Sequence, residues 1–392
     1  MPGQYRHLAP ALVKAGHEVQ FITQRKDVDI PGVQRITYTP NRSSADSTHH
    51  YVRLFENAVI VGQQVARLLI DLQTQKKTPD VIVAHPGWGE AMFAKDIFPQ
   101  VPLLNYCEFY YSGRGADIGF AKEEPVTIDA ICRARARNAN LLLSLEACDA
   151  GISPTHWQKS RHPAPLSDKI EVIFDGIDTG IVKPDPAARF TLPGGRVLTA
   201  QDEVLTYVAR NLEPYRGFPS FIRALPKILE GRPNATVVVV GGDEVSYGRS
   251  APDGKNWREH MLAEVPLDLS RVHFTGKLPY ADYLSLLQVS SLHIYLTVPF
   301  VLSWSCMESM AAGCLMLASA TPPVQEVIQD GVNGVLCDFN DPADIAAKAI
   351  ALLADGKAYD HLRQAARETI LDRYDLKDCL ARHMAKVLAM AG

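Results

Sequence analysis

Short apolar runs alternate with helical patterns along almost the whole chain, and this alternation constrains the fold more than any other feature. In the first half, strands are predicted at His17–Thr23, Val33–Tyr38, Asp80–His85, Val101–Tyr106 and Asn140–Leu145. Helices are predicted at Tyr5–Lys14, His50–Gln75, Trp88–Phe98 and Ile128–Asn138. The run Val81–Ala84 is apolar at every position, which is typical of a strand buried on both faces. Strands that alternate with helices predict an α/β protein with parallel sheets.

The same alternation resumes after residues 183–195, a stretch rich in proline and glycine that predicts a linker. Strands are predicted beyond it at Val204–Ala209, Ala235–Val240, Arg271–Thr275, Ser291–Thr297, Leu315–Ser319 and Gly334–Asp338. Helices are predicted at Ser220–Glu230, Trp257–Glu264, Tyr280–Gln288, Ser305–Ala312, Val324–Gln329 and from Asp341 to the end.

The chain has 392 residues, which is enough for two domains. We predict two doubly wound, Rossmann-like domains that face each other across a cleft. The N-terminal domain is expected at residues 1–182 and the C-terminal domain at 183–365. The helices at 366–392 are expected to cross back to the first domain.

The chain begins on a loop rather than on a strand. A doubly wound domain opens with a central strand that is followed by a loop and a helix, whereas here Pro2–Gln4 leads directly into the first helix. Loss of a central parallel strand would unpair two neighbouring strands and open a slot in the core. Two alternatives follow: the sheet lacks this strand, or the strand is encoded upstream of a misassigned start. We favour the second.

Composition excludes several classes of protein. Hydrophobic residues make up 47% and charged residues 21% of the chain, as in globular proteins, and the net charge of −4 gives no general attraction to nucleic acid. No apolar run approaches the roughly 18 residues of a membrane span, and Met1–His7 lacks the apolar region of a signal peptide. Seven scattered cysteines without a C-x-x-C pair suggest neither disulfides nor zinc. We therefore expect a cytoplasmic protein.

Two arginines flank a turn that directly follows a predicted strand. Arg210 and Arg216 lie six residues apart, with Pro214 and Gly217 in the turn between and after them. Ligands of α/β proteins bind at the carboxyl ends of strands, and guanidinium groups match phosphate oxygens with two parallel hydrogen bonds. The alternative is a pair of solvated surface arginines. We favour an anion site at which both side chains converge.

A second candidate site is the start of the helix predicted at Ser305–Ala312. Ser303 and Ser305 are predicted to cap this helix, and the N–H groups of a helix start attract anions. Glu308 lies about one turn into the helix, where a carboxylate can accept two hydrogen bonds from a ribose diol. The alternative is that the serines merely cap the helix and that Glu308 is a favourable charge in its first turn. Together with the arginine pair, this segment predicts a pocket for a nucleotide diphosphate.

Polar and aromatic residues also follow two strands of the first half. His85 and Trp88 follow one strand, and Glu108 with Tyr110 follows the next. A carboxylate among aromatic rings suits a sugar or another polyol. A histidine after a strand is also common as a purely structural residue, so both interpretations stay open.

Two motifs are interpreted as decoys, and a third stays open. Gly113–Gly119 resembles a dinucleotide fingerprint, but its last spacing is one residue too long. Asp27–Asp29 resembles a metal-binding D-x-D motif, yet it lies in a charged loop and is interpreted as solvated. The Gly241-Gly242 turn either approaches a ligand closely or is only a tight turn.

An ordered set of motifs in the second half resembles retaining GT-B glycosyltransferases of family 4. The resemblance covers roughly Val204 to Phe339. The matching segments are Arg210–Gly217, Val240–Gly242, Val272–Gly276, Glu308–Gly313, Pro323–Ile328 and Asp330–Gly334. In the first half, Pro2–Leu8 resembles a subgroup in which a first strand leads into a Phe-Pro-Gly-Gln loop, here without its strand.

The resemblance implies a donor site in the second domain and an acceptor site in the first. Arg210 and Arg216 would neutralise the diphosphate, and Glu308 would hold the ribose. The other residues expected on the donor side are Gly3, Gly241, Gly242, Lys277, Leu278, Leu302, Ser303, Trp304 and Ser305. No metal or other cofactor is expected, because the arginines would stabilise the leaving group.

Three positions depart from the family pattern. The first glutamate of the family's E-x7-E pair falls on Phe300, the usual sugar-facing histidine aligns with Glu108, and Arg216 stands for the usual lysine. Glu108 is therefore expected to take a polar, catalytic role. Phe300 is expected on the acceptor or sugar side together with His85, Trp88 and Tyr110.

The expected activity is transfer of a sugar from a nucleotide-diphosphate sugar to an acceptor hydroxyl with retention of configuration, in polysaccharide or glycoconjugate synthesis. The acceptor would be a sugar or a lipid-linked molecule, and Arg133, Arg135 and Arg137 leave open a peripheral contact with the inner face of a membrane. The alternatives are a non-catalytic nucleotide-sugar binder of the same fold, and a phosphorylase. An epimerase of this fold would lack the arginine turn. No nucleic-acid partner is expected.

Overall fold

The computed structural model describes residues 3–27 and 29–392, which form two compact units. Unit 1 comprises the residues up to 113, then 127–176 and 376–392, and unit 2 comprises 114–126 and 177–375. The boundary thus lies at 176/177, six residues before the predicted one, and the chain returns to unit 1 at Leu376 rather than at 366. The assignment of residues 114–126 to unit 2 was not predicted.

Unit 1 contains two separate parallel sheets. One pairs β1 (Val19–Thr23) with β2 (Val33–Thr37). The other has the order β3-β4-β5-β6, formed by Ile82–Ala84, Leu103–Tyr106, Ala150–Ser153 and Ile170–Val172. The helices of this unit are α1 (Leu8–Lys14), α2 (Arg53–Thr74), α3 (Ala94–Ile97), α4 (Ile128–Ala147), α5 (His156–Ser160) and α13 (Leu376–Ala391). Helix α13 packs against α1, and its Val387 joins the same core cluster as Leu8.

The facing edges of these two sheets carry no strand partner among residues 3–27 and 29–392. Phe21 of β1 and Val83 of β3 nevertheless pack against one core cluster, so the two edges share a hydrophobic environment. All three residues of β3 are half-buried, whereas all four of β4 are buried. Pro2 of the N-terminal loop lies outside the described residues.

The strand predicted at Asn140–Leu145 is wrong, because these residues continue helix α4. Asn140 donates a hydrogen bond from Nδ2 to the Pro86 carbonyl at 2.6 Å, while Leu142 and Leu143 on another face are exposed. The run of leucines therefore follows the 3.6-residue period of a helix, and its apolar character alone did not reveal this period. The strand of this region is β5, whose short sequence Ala150–Ser153 carries little apolar signal.

The helix predicted at Trp88–Phe98 is shorter than expected. Pro86–Trp88 form a single 3₁₀ turn, and only Ala94–Ile97 are α-helical. Glycine is a weak helix former, and Gly89 lies in this stretch while Gly87 directly precedes it.

Unit 2 is built on a six-stranded parallel sheet of order β11-β10-β9-β12-β13-β14. These strands are β9 (Val204–Asn211), β10 (Thr236–Gly242), β11 (Val272–Gly276), β12 (Leu292–Tyr295), β13 (Met316–Ser319) and β14 (Val335–Cys337). The helices are α6 (Phe218–Gly231), α7 (Trp257–Glu264), α8 (Tyr280–Gln288), α9 (Trp304–Ala311), α10 (Pro322–Gln325), α11 (Pro342–Ala354) and α12 (Asp360–Arg373). The central strands β9, β10 and β12 are almost entirely buried, as expected for a sheet covered on both faces.

The stretch interpreted as a linker contains an antiparallel hairpin, β7 (Arg189–Thr191) and β8 (Val197–Thr199). Phe190 and Leu198 of this hairpin are buried in a core cluster with Val204. The proline- and glycine-rich stretch is therefore part of unit 2.

Hydrogen bonds connect residues 114–126 to the rest of unit 2. The Tyr215 hydroxyl donates to Asp117 at 2.7 Å, and Asn340 donates from Nδ2 to the Phe120 carbonyl at 2.9 Å. The Lys122 ammonium donates to the Asn340 carbonyl at 2.8 Å.

Within the described part of the chain, no helix is both long and apolar enough to cross a membrane.

Candidate functional site

Arg216 is a buried cation at the end of the central strand of unit 2. Strand β9 ends at Asn211, and the 3₁₀ turn Pro214–Arg216 follows it. Gly217 closes this turn with a φ of +68°, and a Cβ there would lie 2.5 Å from that of Leu296, so only glycine fits. The turn directs the Arg216 side chain into unit 2, where the residue is 7% exposed.

The Arg216 guanidinium donates hydrogen bonds only to neutral groups among the described residues, and the buried Glu213 carboxylate acts on its charge from a greater distance. Its Nη1 donates to the Thr297 hydroxyl at 2.8 Å, the Val301 carbonyl at 3.1 Å and the Tyr295 hydroxyl at 3.3 Å. No carboxylate of the described residues forms an ion pair with it, and neither Nε nor Nη2 has a hydrogen-bond partner among them. A buried charge is costly unless it is paired. This geometry suits an anionic ligand.

The start of helix α9 lies beside this guanidinium. Ser303 occupies the N-cap position, but the structure contradicts the predicted capping by the serine hydroxyls. The Ser303 Oγ hydrogen-bonds to Ser305 Oγ at 2.7 Å and donates to the Tyr295 hydroxyl at 3.1 Å. The first N–H groups of a helix lack partners within it; here the Ser303 N–H donates to the Tyr295 hydroxyl at 3.1 Å, and the Ser303 side chain makes no cap hydrogen bond to the helix. Because Tyr295 contacts both Arg216 and Ser303, one hydroxyl joins the cation to the helix start.

Glu308 is the third charged group of this region and is 7% exposed on α9. Its Oε1 accepts a hydrogen bond from the Tyr280 hydroxyl at 2.8 Å, and its Oε2 accepts one from the Tyr283 hydroxyl at 2.9 Å. Burial, and then the nearby Glu308 charge, raise the pKa of Tyr283 well above its usual range, so that its hydroxyl keeps its proton. Neither tyrosine belongs to a motif that points to this site, although their i, i+3 spacing on a helix places them on one face.

Arg210 differs from Arg216 in its environment. It is exposed on β9 and makes no hydrogen bond or ion pair with any residue of the described ranges. Lys277, expected to border the base, is exposed and pairs with Glu244 at 2.8 Å. At Gly242, a Cβ would lie 2.5 Å from Oδ1 of the buried Asn211 and 2.6 Å from Cε of the exposed Lys277.

The other residues predicted on the donor side differ in their burial. Leu302 is buried, Trp304 and Leu278 are half-buried, and Gly241 would place a Cβ 2.7 Å from Cδ2 of Leu212. Gly3 belongs to unit 1 and begins a 3₁₀ turn.

Phe300 is buried in an aromatic cluster of unit 2. Its ring lies 5.5 Å from that of Tyr215 and 5.0 Å from that of Tyr247. The Arg216 guanidinium lies 5.7 Å from the Tyr247 ring. An aromatic side chain packed among other rings therefore occupies the position at which the family pattern has a carboxylate.

The polar residues predicted in unit 1 lie together. Glu108 accepts a hydrogen bond from the Gln4 amide at 3.1 Å, and its Oε2 lies 3.3 Å from Nε2 of His85. The Nδ1 of His85 accepts from the Gly87 N–H at 3.1 Å, which assigns the ring proton to Nε2 and makes His85 the donor to Glu108. The half-exposed Trp88 ring lies 4.6 Å from the His85 ring. Tyr110 lies apart from this group, 5.8 Å from the His162 ring.

Asp27 of the D-x-D decoy pairs with Arg25 and is exposed, as expected for a solvated charge. Val28 lies outside the described residues. The stretch Gly113–Gly119 forms neither a strand nor a helix, in agreement with its dismissal as a dinucleotide fingerprint.

The fold is that of the GT-B glycosyltransferases. It is similar to sucrose-phosphate synthase from Thermosynechococcus elongatus, with a TM-score of 0.70 and 19% identity over 99% of this chain and 93% of that one. It is also similar to HepE of Anabaena in complex with UDP-glucose, with a TM-score of 0.62 and 17% identity over 91% of this chain and 85% of that one.

The sequence matches two family models that together cover most of the chain. Residues 15–182 match the glycosyl transferase family 4 group, and residues 196–369 match the glycosyl transferases group 1. The chain belongs to this family of glycosyltransferases, as its motifs predicted.

Curated relatives include an uncharacterised glycosyltransferase of Methanocaldococcus jannaschii, 24% identical over 98% of this chain and 92% of that protein. A D-inositol 3-phosphate glycosyltransferase of Acidothermus cellulolyticus is 25% identical, and that match covers 58% of this chain and 51% of the relative.

Proposed function

We propose that this protein transfers a sugar from a nucleotide-diphosphate sugar to an acceptor hydroxyl with retention of configuration, in polysaccharide or glycoconjugate synthesis. The observation that carries the proposal is the buried Arg216 guanidinium, which has no carboxylate partner among the described residues and lies beside the start of helix α9. A diphosphate supplies the negative charge that such a site accepts. The similar HepE structure holds UDP-glucose, which supports the same class of donor here.

The transfer reaction requires stabilisation of the negative charge on the departing diphosphate. As the bond between the sugar and the phosphate breaks, negative charge grows on the phosphate oxygens. Arg216 and the first N–H groups of α9 offer preorganised donors to that charge, and Arg210 adds a mobile cation. Such donors stabilise a leaving group without a metal. In the retaining reaction of this class, the acceptor hydroxyl attacks on the face that the diphosphate leaves and gives its proton to a phosphate oxygen.

Unit 1 is proposed to supply the acceptor side. Glu108 and His85 form a polar pair beside the half-exposed Trp88, and indole rings commonly pack against sugars. The Nε2 proton of His85 fixes the orientation of the Glu108 carboxylate. Glu108 is then able to accept a hydrogen bond from a sugar or acceptor hydroxyl.

The test is a panel of nucleotide sugars, assayed by thermal shift and by turnover, with Arg216→Gln as the diagnostic variant. Arg216→Gln should lose stabilisation by UDP and lose transfer, yet retain the fold of the free protein, because no ion pair is broken. Arg189→Gln is the matched control, since Arg189 is exposed on β7 and its side chain makes no hydrogen bond in the described ranges.

Three outcomes distinguish a transferase from a non-catalytic binder and test the assignment of the site. Product with the donor's anomeric configuration, determined by NMR, supports the proposal. Stabilisation by nucleotide sugars without product would favour a non-catalytic binder. Unchanged binding and transfer in Arg216→Gln would overturn the assignment of the site.

A further inference from the structure

The Tyr247 ring lies beside the Arg216 guanidinium, in the loop between β10 and α7. Its centroid is 5.7 Å from the guanidinium carbon, 5.0 Å from the Phe300 ring and 6.0 Å from the Tyr215 ring. Phe300 and Tyr215 are buried, whereas Tyr247 is 38% exposed. Tyr247 is therefore the ring of this cluster that offers exposed aromatic surface to a ligand bound at Arg216.

A buried carboxylate holds the loop of Tyr247 in place. Glu213 directly precedes the 3₁₀ turn that carries Arg216, and it is fully buried. Its Oε2 accepts hydrogen bonds from the N–H groups of Ser246, Tyr247 and Gly248 at 3.2, 3.1 and 3.0 Å. Hydrogen bonds to a charged acceptor are stronger than those to a neutral one. The segment that positions Arg216 therefore also fixes the backbone of Tyr247.

A second carboxylate holds the same loop at its other end. Oε1 of Glu124 accepts a hydrogen bond from the Arg249 N–H at 2.9 Å, and a Cβ at Gly248 would collide with this oxygen. With both carboxylates in place, the Tyr247 ring has a defined position before a ligand binds. A group that is ordered in advance loses less entropy on binding, so this ring is suited to contact a ligand.

The chemistry of the donor indicates which of its parts the ring contacts. In a nucleotide-diphosphate sugar, the sugar is bonded directly to the outer phosphate, whereas the ribose separates the base from the inner phosphate. A ring 5.7 Å from the guanidinium that binds the diphosphate is within reach of the directly bonded sugar, and the base lies farther away. Sugar rings carry C–H groups on their faces, and burying these groups against an aromatic side chain is favourable.

We propose that the Tyr247 ring packs against the sugar of the donor, and that Glu213 is a positioning residue that holds Tyr247 there. The inference rests on the proposed function, because it needs a diphosphate at Arg216. The ring supplies apolar contact and no charge. It should therefore strengthen the binding of the nucleotide sugar without strengthening that of the nucleoside diphosphate alone.

The experiment compares nucleotide sugars with their own nucleoside diphosphates by calorimetry. The probes are UDP-glucose, UDP-galactose, UDP-N-acetylglucosamine, GDP-mannose and ADP-glucose, with UDP, GDP and ADP as references. Tyr247→Ala should weaken the nucleotide sugar that wild type binds most tightly by about tenfold. Its nucleoside diphosphate should change less than about twofold, because Arg216 keeps its own hydrogen bonds to Thr297 and Val301.

Two further variants serve as controls for the loss of the ring. Tyr247→Phe keeps the ring and should bind both members of the pair like wild type. Tyr359→Ala removes a tyrosine of unit 2 from the 3₁₀ turn Gly356–Tyr359, away from the loop of Tyr247, and should change neither dissociation constant.

Two substitutions of Glu213 separate positioning from charge. Glu213→Gln keeps an oxygen for the three N–H groups and should bind the nucleotide sugar within about twofold of wild type. Glu213→Ala releases the loop and should show the selective loss of Tyr247→Ala, and the double variant should lose no more than either single one. Equal changes in UDP affinity in both Glu213 variants would mean that Glu213 acts through its charge on Arg216, which would overturn the positioning role. Should Glu213→Ala fail to fold, Glu124→Ala releases the same loop at its other end and takes its place.

The two dissociation constants distinguish the alternatives. Equal weakening of the nucleotide sugar and of its diphosphate in Tyr247→Ala would mean that the ring contacts the nucleoside or only supports the site. An unchanged affinity for both would mean that it contacts neither, and each of these results overturns the inference. A wild type that binds a nucleoside diphosphate but none of the five nucleotide sugars would overturn it as well. Failure of the wild type to bind UDP, GDP and ADP would instead overturn the proposed function itself.

Discussion

The Arg216 guanidinium donates to the carbonyl of Val301 at 3.1 Å, two residues before the N-cap of helix α9. This contact brings a buried positive charge to the positive end of a helix dipole, an arrangement that is unfavourable without a ligand. An anion bound between the Arg216 guanidinium and the start of helix α9 would contact both groups. The two groups are separated by 85 residues in sequence and meet because β9 and β12 are neighbours in the sheet.

Arg210→Ala should reduce transfer about a hundredfold, the cost of losing one preorganised charge at a leaving group. The melting temperature of the free protein should stay nearly the same, because the Arg210 side chain is exposed and makes no hydrogen bond or ion pair with the described residues. Steady-state kinetics and thermal denaturation test this prediction, with Arg189→Ala as control. A variant with full activity would exclude Arg210 from the reaction.

Glu108→Gln should slow turnover without weakening the binding of the nucleotide donor. We expect turnover to fall about tenfold or more, because the amide can no longer accept hydrogen bonds on both of its terminal atoms. The dissociation constant for UDP should not change, since Glu108 belongs to unit 1 and the donor residues to unit 2. Parallel measurements of kcat and of UDP binding test this, and Glu146→Gln, exposed on α4, is the control. A large loss of UDP affinity would contradict the division of roles.

His293 should make the protein less stable at acidic pH. Burial lowers its pKa to about 3 in the folded state, so the ring stays neutral while the unfolded chain takes up a proton below about pH 6.5. The unfolded state then binds more protons, and the free energy of unfolding falls as the pH falls. Between pH 7.5 and 5.5 this group alone should cost about 1.4 kcal/mol.

Urea denaturation at these two pH values tests the prediction. His293→Asn should remove this part of the pH dependence whatever its effect on stability at neutral pH, whereas the exposed His361→Asn should leave it unchanged. Burial also lowers the pKa of His162 and His383, so a residual dependence of the same sign is expected. An unaltered slope in His293→Asn would show that the ring is not buried and neutral.

Cysteine labelling should distinguish one thiol from the other six. Cys132 is exposed on α4, whereas the remaining cysteines are buried, and burial raises the pKa of Cys314 and Cys337 to about 12. N-ethylmaleimide should therefore add once to the native protein and seven times after denaturation, as counted by mass spectrometry, because the thiolate is the reactive form. Cys132→Ser should abolish native labelling. Rapid labelling of further cysteines under native conditions would contradict the burial of the six remaining thiols, three in unit 1 and three in unit 2.

The elements that were predicted best carry strong local signals. Helices α7 and α8 begin and end at the predicted residues, and α7 has the capping box of Asn256 and Glu259 at its start. The buried strands β9 and β10 read as continuous apolar runs, and their predicted bounds differ from the observed ones by at most two residues. Where the local signal was ambiguous, at Asn140–Leu145, the prediction failed.

The sequence by itself determined the class of fold, the family and the order of the charged residues, because strand and helix periods and ordered motifs are properties of the chain alone. Only the tertiary structure decided what those residues face. Arg216 and Arg210 are alike in sequence, yet one is buried without a carboxylate partner in the described ranges and the other is exposed. Tyr280 and Tyr283 carry no motif, yet both donate hydrogen bonds to Glu308. Burial and hydrogen-bond partners depend on which strands and helices become neighbours, and that is set by the packing of segments far apart in the chain.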